Sequence, residues 1–205
     1  MARRSLLRAV GAAVAIAFLL AGCGTRFDPD ANARYMRWYR SHATSVIAYQ
    51  QFLEAQGVGG VVPMPQLLRT VRDWRKCGSE FAVPPARAWP AIVPTLRLLA
   101  ELRRDGHLAG KVRVASAWRS AEMNACAGGA PRSKHLGNGA IDLDWDAPAD
   151  GLERLCAAWG GDTGGKHAWG LGFYTRKRIH LDTYGYRTWG HDYRSRTSLC
   201  VAGPD

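Results

Sequence analysis

Acidic residues are scarce in this chain: 17 Asp and Glu face 28 Lys and Arg over 205 residues, a formal charge of +11. A positive surplus of this size favours anionic partners. The usual one is nucleic acid, but the chain has no basic helix and no aromatic RNA-binding signature. It also lacks internal repeats and any long low-complexity linker, which excludes solenoids and leaves a length suited to one domain. Five cysteines occur without a C-x-x-C spacing, so a cysteine-rich zinc site or a dithiol redox centre has no sequence support. Gly160-Gly161-Asp162-Thr163-Gly164-Gly165 lacks the Lys-Ser or Lys-Thr of a phosphate loop and follows a helix rather than a strand; a mobile loop bordering a cleft is expected instead.

Long apolar runs are missing too, apart from Ala9 to Gly22, which is too short to span a bilayer. Arg3, Arg4 and Arg8 precede it, and Leu20-Ala21-Gly22-Cys23 has the form of a bacterial lipobox. Residues 1–22 are therefore expected to be a lipoprotein signal peptide and Cys23 the lipid-bearing mature N-terminus. Residues 23–30 would form a tether, and 31–205 a single domain with a helical part over 31–105. Acyl chains anchor firmly because each buried methylene contributes about 0.8 kcal/mol. Gly24, rather than Asp, follows the cysteine, which points to the outer membrane, facing the periplasm. Without the leader the charge falls to +8. In an envelope the matching anions are lipid head groups, polymer phosphates and the carboxylates of peptidoglycan stem peptides. Nucleic acid is not expected, and a monomer is.

Cys77, Cys126, Cys156 and Cys200 remain, an even number that suggests two disulfides in an exported chain, with three possible pairings. The expected pairs are Cys77 with Cys126, tying the amino-terminal helices to the loop before His135, and Cys156 with Cys200, fastening the tail. From Asp30 to about Gln56, Tyr35, Trp38, Tyr39, Ala43, Val46, Ile47 and Phe52 recur at helical spacing. A second helix is expected from Pro65 through Trp74, and a third, after Pro84-Pro85, carrying Leu96, Leu99 and Leu102. From Lys111 the period becomes two, with Val112, Val114 and Ser116 opening a strand. A short helix follows from Ser120, then the Asp142 strand, then a helix from Ala149 to Trp159 stopped by Gly160-Gly161. Trp169–Tyr174 and Arg178–Thr183 read as a hairpin. The predicted class is α+β: a small, mainly antiparallel sheet with helices on one face and the site on the other.

Alternation also locates chemistry. Ile141, Leu143 and Trp145 can enter the core while Asp142 and Asp144 face outward, and Ile179 and Leu181 do the same around His180 and Asp182. If the strands pair, His135, Asp142 and His180 can converge on one ion and leave a position open for water, as a zinc hydrolase requires.

Ser133-Lys134-His135-Leu136-Gly137-Asn138-Gly139-Ala140-Ile141-Asp142 resembles the S-x-H-x-x-G-x-A-x-D signature of the M15 zinc peptidases, the D-alanyl-D-alanine carboxypeptidase and murein endopeptidase group. Ser116-Ala117-Trp118-Arg119-Ser120 with Asn124 is similar to the family's S-x-[YW]-R-S segment. Gly170-Leu171-Gly172-Phe173-Tyr174 and Ile179-His180-Leu181-Asp182-Thr183 are similar to G-x-G-x-Y and I-H-x-D-T. The resemblance runs over roughly residues 90 to 190. It departs at Asn138, where the family has glycine, and at Lys177, where many members carry an acid that serves as general base. Asn tolerates left-handed backbone angles better than most residues, so the turn can survive.

The resemblance implies the M15 fold, Zn2+ held by His135, Asp142 and His180, and a peptide substrate from peptidoglycan cut as a carboxypeptidase or an endopeptidase would cut it. Arg119 is the candidate for steadying the oxyanion or gripping a substrate carboxylate, and Asp182 for orienting a ligand. With Lys177 in the acid's place, the candidates for moving a proton are Glu122, Asp144, Asp162, His167 and Asp182, of which His167 stands out for its place on the expected cleft-edge loop. Ser116 and Ser133 sit in no triad-like context, and Trp118, Trp169 and Tyr174 are aromatic candidates for a peptide groove. Two other readings compete: an inactive lipoprotein that binds peptidoglycan with the same fold, and an envelope protein that only braces others.

Overall fold

A computed structural model describes residues 30–162 and 167–203, so the signal peptide, Cys23 and nearly all of the tether lie outside the described residues, as do Thr163 to Lys166 of the glycine-rich run. Helices α1 (Asp30–Ala55), α2 (Met64–Leu67), α3 (Trp74–Cys77) and α4 (Val93–Arg104) precede strand β1 (Lys111–Ser116). Helix α5 (Ala121–Cys126), β2 (Ala140–Asp146), α6 (Gly151–Asp162), β3 (Gly170–Thr175), β4 (Arg178–Asp182), β5 (Arg187–Trp189) and α7 (Leu199–Ala202) follow. The five strands form one sheet in the order β1-β2-β4-β3-β5, antiparallel except where β5 runs parallel to β3. Among the described residues, no helix is long and apolar enough to cross a membrane.

The period-two pattern decides which face is core. Val114, Ile141, Leu143, Trp145, Leu171, Phe173, Ile179 and Leu181 join Tyr35, Val46, Tyr49 and Leu53 of α1 and Leu96, Leu99 and Leu102 of α4 in one apolar cluster. Burial of this surface drives the helices onto one side of the sheet. On α1 the buried stripe runs through Tyr49 and Leu53 rather than Ile47, which is exposed. Arg34 also ties α1 to the buried Glu80 through a 2.6 Å ion pair.

Three expectations need correction. The helix expected from Pro65 through Trp74 stops at Leu67, because the chain beyond it pairs with residues 80–82: Thr70 N donates to Glu80 O at 3.1 Å and Ala82 N to Leu68 O at 3.0 Å. Tertiary pairing thus overrides a weak local helix preference of a segment containing the β-branched Thr70 and Val71. Second, Gly160-Gly161 do not stop α6, which runs on to Asp162; its other anchors, buried Leu155 and the Cys156–Cys200 disulfide, hold it against the glycines' cost of about 1 kcal/mol each. Third, Ser116 does not share a face with Val114, since a bulge between them sets Val114 opposite Leu143 but Ser116 opposite Asp142. One extra residue in a strand re-aims the side chains beyond it, and here it turns Ser116 to the site face.

The disulfides are Cys77–Cys126 and Cys156–Cys200, as expected, with Cα atoms 5.6 and 5.1 Å apart.

Candidate metal centre

On the face of the sheet away from the helices, β2 and β4 are in register, with Asp142 opposite His180 and Ala140 opposite Asp182. His135 arrives from the turn before β2. That turn closes through Gly139 N to Lys134 O at 2.9 Å and Asn138 N to His135 O at 3.1 Å, with Asn138 at φ 59°. Asn138 holds this left-handed conformation in place of glycine, and its side-chain amide donates to the Tyr49 hydroxyl and to Ala88 O. The carbonyl of His135 accepts from Arg119 N at 3.2 Å, which locks the turn to the end of β1.

Three buried side chains meet: His135 Nε2 lies 3.0 Å from Asp142 Oδ1 and 3.2 Å from His180 Nδ1, and His180 Nδ1 lies 2.9 Å from Asp142 Oδ1. Each imidazole is oriented from behind. His135 Nδ1 donates to Ala117 O at 2.6 Å, and His180 Nε2 to Asp182 Oδ2 at 2.9 Å. A neutral ring that donates from one nitrogen presents a lone pair on the other. With both rings neutral, two ring nitrogens and a carboxylate oxygen, all acceptors, therefore face one another. This arrangement fits a cation. Ligand atoms around a tetrahedral zinc ion at about 2.0–2.1 Å stand about 3.3 Å apart, within a few tenths of an ångström of the separations found, and the outer hydrogen bonds are those that orient metal-binding histidines.

Burial pushes the Asp142 carboxyl up, but His135, His180 and Arg119 outweigh it and hold it well below the usual carboxylate range. Asp182 behaves alike: burial raises it, and the bond from His180, the Tyr184 amide and Arg187 bring it down. Burial lowers His135. His180 is also pushed down by burial, yet Asp142 and Asp182 carry it above its ordinary value, so both of its nitrogens sit against negative charge.

Arg119 reaches the same carboxylate, donating from Nη2 to Asp142 Oδ2 and from Nε to Ser116 Oγ at 3.0 Å and Thr70 O at 3.3 Å. The bulge in β1 and the strand-like pairing of residues 68–70 both serve this contact.

The triad opens into a cleft of about 820 Å³ lined by Arg72, Asp73, Arg132, Lys134, Tyr174 and Trp189, among others. His167, expected on the cleft edge, is elsewhere. It is bonded to Glu101 Oε2 at 2.6 Å and lines a separate pocket with Leu98, Leu102 and Trp169; the α4 carboxylate draws it to the other side of the sheet. Of the other acids considered for moving protons, Asp144 is held by Arg113 and Arg178, Glu122 is exposed on α5 and does not line the cleft, and the side chain of Asp162 lies outside the described residues. Lys177 is exposed on the β3–β4 turn. Among the aromatics, Tyr174 does line the cleft, with its hydroxyl 3.5 Å from His180 Nδ1. Trp169 is buried under the sheet, and Trp118 is bonded to Leu136 O.

The sequence reading missed Asp73, Arg187, Trp189 and Tyr193. A strand of three residues leaves too short a period to detect, so β5 and the side chains it carries had no local signal.

Compared with protein families, the chain matches the family model described as Peptidase M15 over residues 54–182, a stretch that contains His135, Asp142 and His180. No curated protein and no solved structure matches it.

Proposed function

The chain belongs to the Peptidase M15 family, and from that premise we propose that it is a zinc-dependent metallopeptidase that hydrolyses stem peptides or cross-links of peptidoglycan in the bacterial cell envelope. One observation carries the reading: two imidazoles, each donating outward to a fixed acceptor, turn their remaining nitrogens onto one oxygen of Asp142.

Bound there, zinc would lower the pKa of its water to about 7 and polarise a scissile carbonyl. His135, Asp142 and His180 would hold it. Arg119 keeps the second oxygen of Asp142 engaged and presents a guanidinium at the cleft, where it can meet a developing oxyanion or a substrate carboxylate. The Tyr174 hydroxyl is pushed well up by burial and then by Asp142, so it stays protonated at neutral pH and serves as a second donor. With Lys177 in place of an acid, proton transfer falls to groups other than the family's usual base.

The substrate class is supported by charge. Arg72, Arg132 and Lys134 line the cleft, and no salt bridge engages them among the described residues. Stem peptides carry carboxylates that such cations attract. Two disulfides suit an oxidising compartment, in keeping with export, lipid anchoring at Cys23 and an outer-membrane location facing the periplasm.

The test combines metal content with release of muropeptides from purified sacculi, comparing wild type with His135→Ala and His180→Ala. One equivalent of zinc and fragment release, both lost in the variants, is the expected result. Zinc without turnover on any cross-link type would leave a binding lipoprotein, and protein without metal, indifferent to both substitutions, would overturn the reading.

A further inference from the structure

Strand β5 lies beyond the stretch that matches the family model, yet it reaches the metal centre across another strand. In register, Gly170 of β3 stands between Asp182 of β4 and Arg187 of β5, and Gly172 stands between His180 and Trp189. Strands lie about 4.8 Å apart, so β4 and β5 are separated by about twice that, and a side chain on the strand between would keep theirs apart. Here they touch. Arg187 Nη2 lies 2.6 Å from Asp182 Oδ2, and the Trp189 and His180 rings pack with centroids 5.1 Å apart.

The two glycines make this possible by volume. A Cβ on Gly170 would sit 2.9 Å from both Arg187 Nη1 and Asp182 Oδ2, and one on Gly172 would sit 2.6 Å from Trp189 Nε1. Neither glycine has a positive φ, so left-handed backbone does not account for them. Trp189 keeps its place although its Nε1 is buried without a hydrogen-bond partner, which proteins seldom tolerate without a structural return. Arg187 lies over the Trp189 ring at 5.1 Å, joining the two into one unit.

We propose that Gly170 and Gly172 form a gap over β3 through which Arg187 and Trp189 clamp Asp182 and His180, making both β5 side chains positioning residues for the metal ligand. The inference rests on the zinc reading above. Arg187 holds the carboxylate that receives the Nε2 hydrogen of His180, and Trp189 covers the imidazole and limits its rotation. His180 Nδ1 is thereby aimed at Asp142 before any ion arrives.

Zinc dissociation constants, measured by competition with a chromophoric chelator, test this on wild type, Gly172→Ala, Trp189→Ala, Trp189→Phe and the Gly172→Ala/Trp189→Ala double variant, with apo-protein melting followed in parallel. Gly172→Ala and Trp189→Ala are each expected to weaken zinc by about 10- to 100-fold, the range for losing a group that orients a ligand, with Trp189→Phe restoring most of the affinity. The double variant should match Trp189→Ala alone, because an alanine at 172 acts only by displacing the indole; if Gly172→Ala fails to fold, Trp189→Ala in the same chain should restore folding. Wild type that binds zinc with variants equal to it, or losses that add in the double variant, would overturn the clamp alone. Wild type that binds no zinc would overturn the metal reading and this inference with it.

Discussion

His180 and Asp182 stand two residues apart on β4 and are joined by a 2.9 Å hydrogen bond from Nε2 to Oδ2. The carboxylate is fully buried and also accepts from the Tyr184 amide at 2.8 Å. It therefore fixes which nitrogen of His180 carries the hydrogen. Replacing Asp182 with Asn keeps the shape but removes the charge that favours this tautomer. Zinc affinity is expected to fall by about 10- to 100-fold in chelator competition, and unchanged affinity would count against the orienting role.

Asn138 predicts a backbone effect. At φ 59° a residue with a bulkier or nonpolar side chain is strained by about 1–2 kcal/mol, and Asn138 also supplies two hydrogen bonds. In urea melts, Asn138→Ala should therefore be less stable than Asn138→Gly, which loses the same bonds but accepts the φ. Equal stabilities would mean that the left-handed turn contributes nothing.

The disulfide Cys77–Cys126 spans 49 residues and ties α3 to α5, and Cys156–Cys200 spans 44. Loop-entropy reasoning puts the ceiling for each near 4 kcal/mol, with about 2–4 kcal/mol typical. Cys77→Ser/Cys126→Ser and Cys156→Ser/Cys200→Ser should each lose stability in this range in guanidinium melts. A loss under about 1 kcal/mol would show that the packing of α1 and α4 suffices.

Tyr49, whose hydroxyl accepts from Asn138, gives a pH test. Burial pushes its hydroxyl up to about 12, partly offset by the bond from Asn138, against about 10 in the unfolded chain. A raised acid retains its proton in the fold after the unfolded chain has released it. Its contribution is therefore complete below about pH 10 and is lost as pH rises toward 12. Between those limits wild type should lose stability faster with pH than Tyr49→Phe, by up to about 1.4 kcal/mol per pH unit. Parallel curves from pH 9 to 11.5 would refute it.

Much of the centre was legible in the sequence because it rests on local rules. Alternation alone put Asp142 on one face of its strand and His180 with Asp182 on one face of theirs, and Asn138 takes the left-handed conformation its turn was expected to need. The placement of His167 was not legible: a histidine next to a glycine-rich loop can be drawn to any carboxylate the fold supplies, and Glu101, 66 residues away, took it. Ser116 was misplaced for a similar reason, since a bulge is a property of two paired strands rather than of one.

What the residues indicated unaided was the donor chemistry, the faces that Asp142 and His180 occupy on their strands, and the kinship that the family match later bore out. Tertiary structure alone decided that Arg119 engages Asp142, that residues 68–70 leave the helical path to support it, and that Arg187 and Trp189 cross a gap of two glycines to reach β4. The division has one cause: side-chain direction is fixed by the dihedrals of each segment, whereas contact between side chains from different segments depends on which strands pair and in what register.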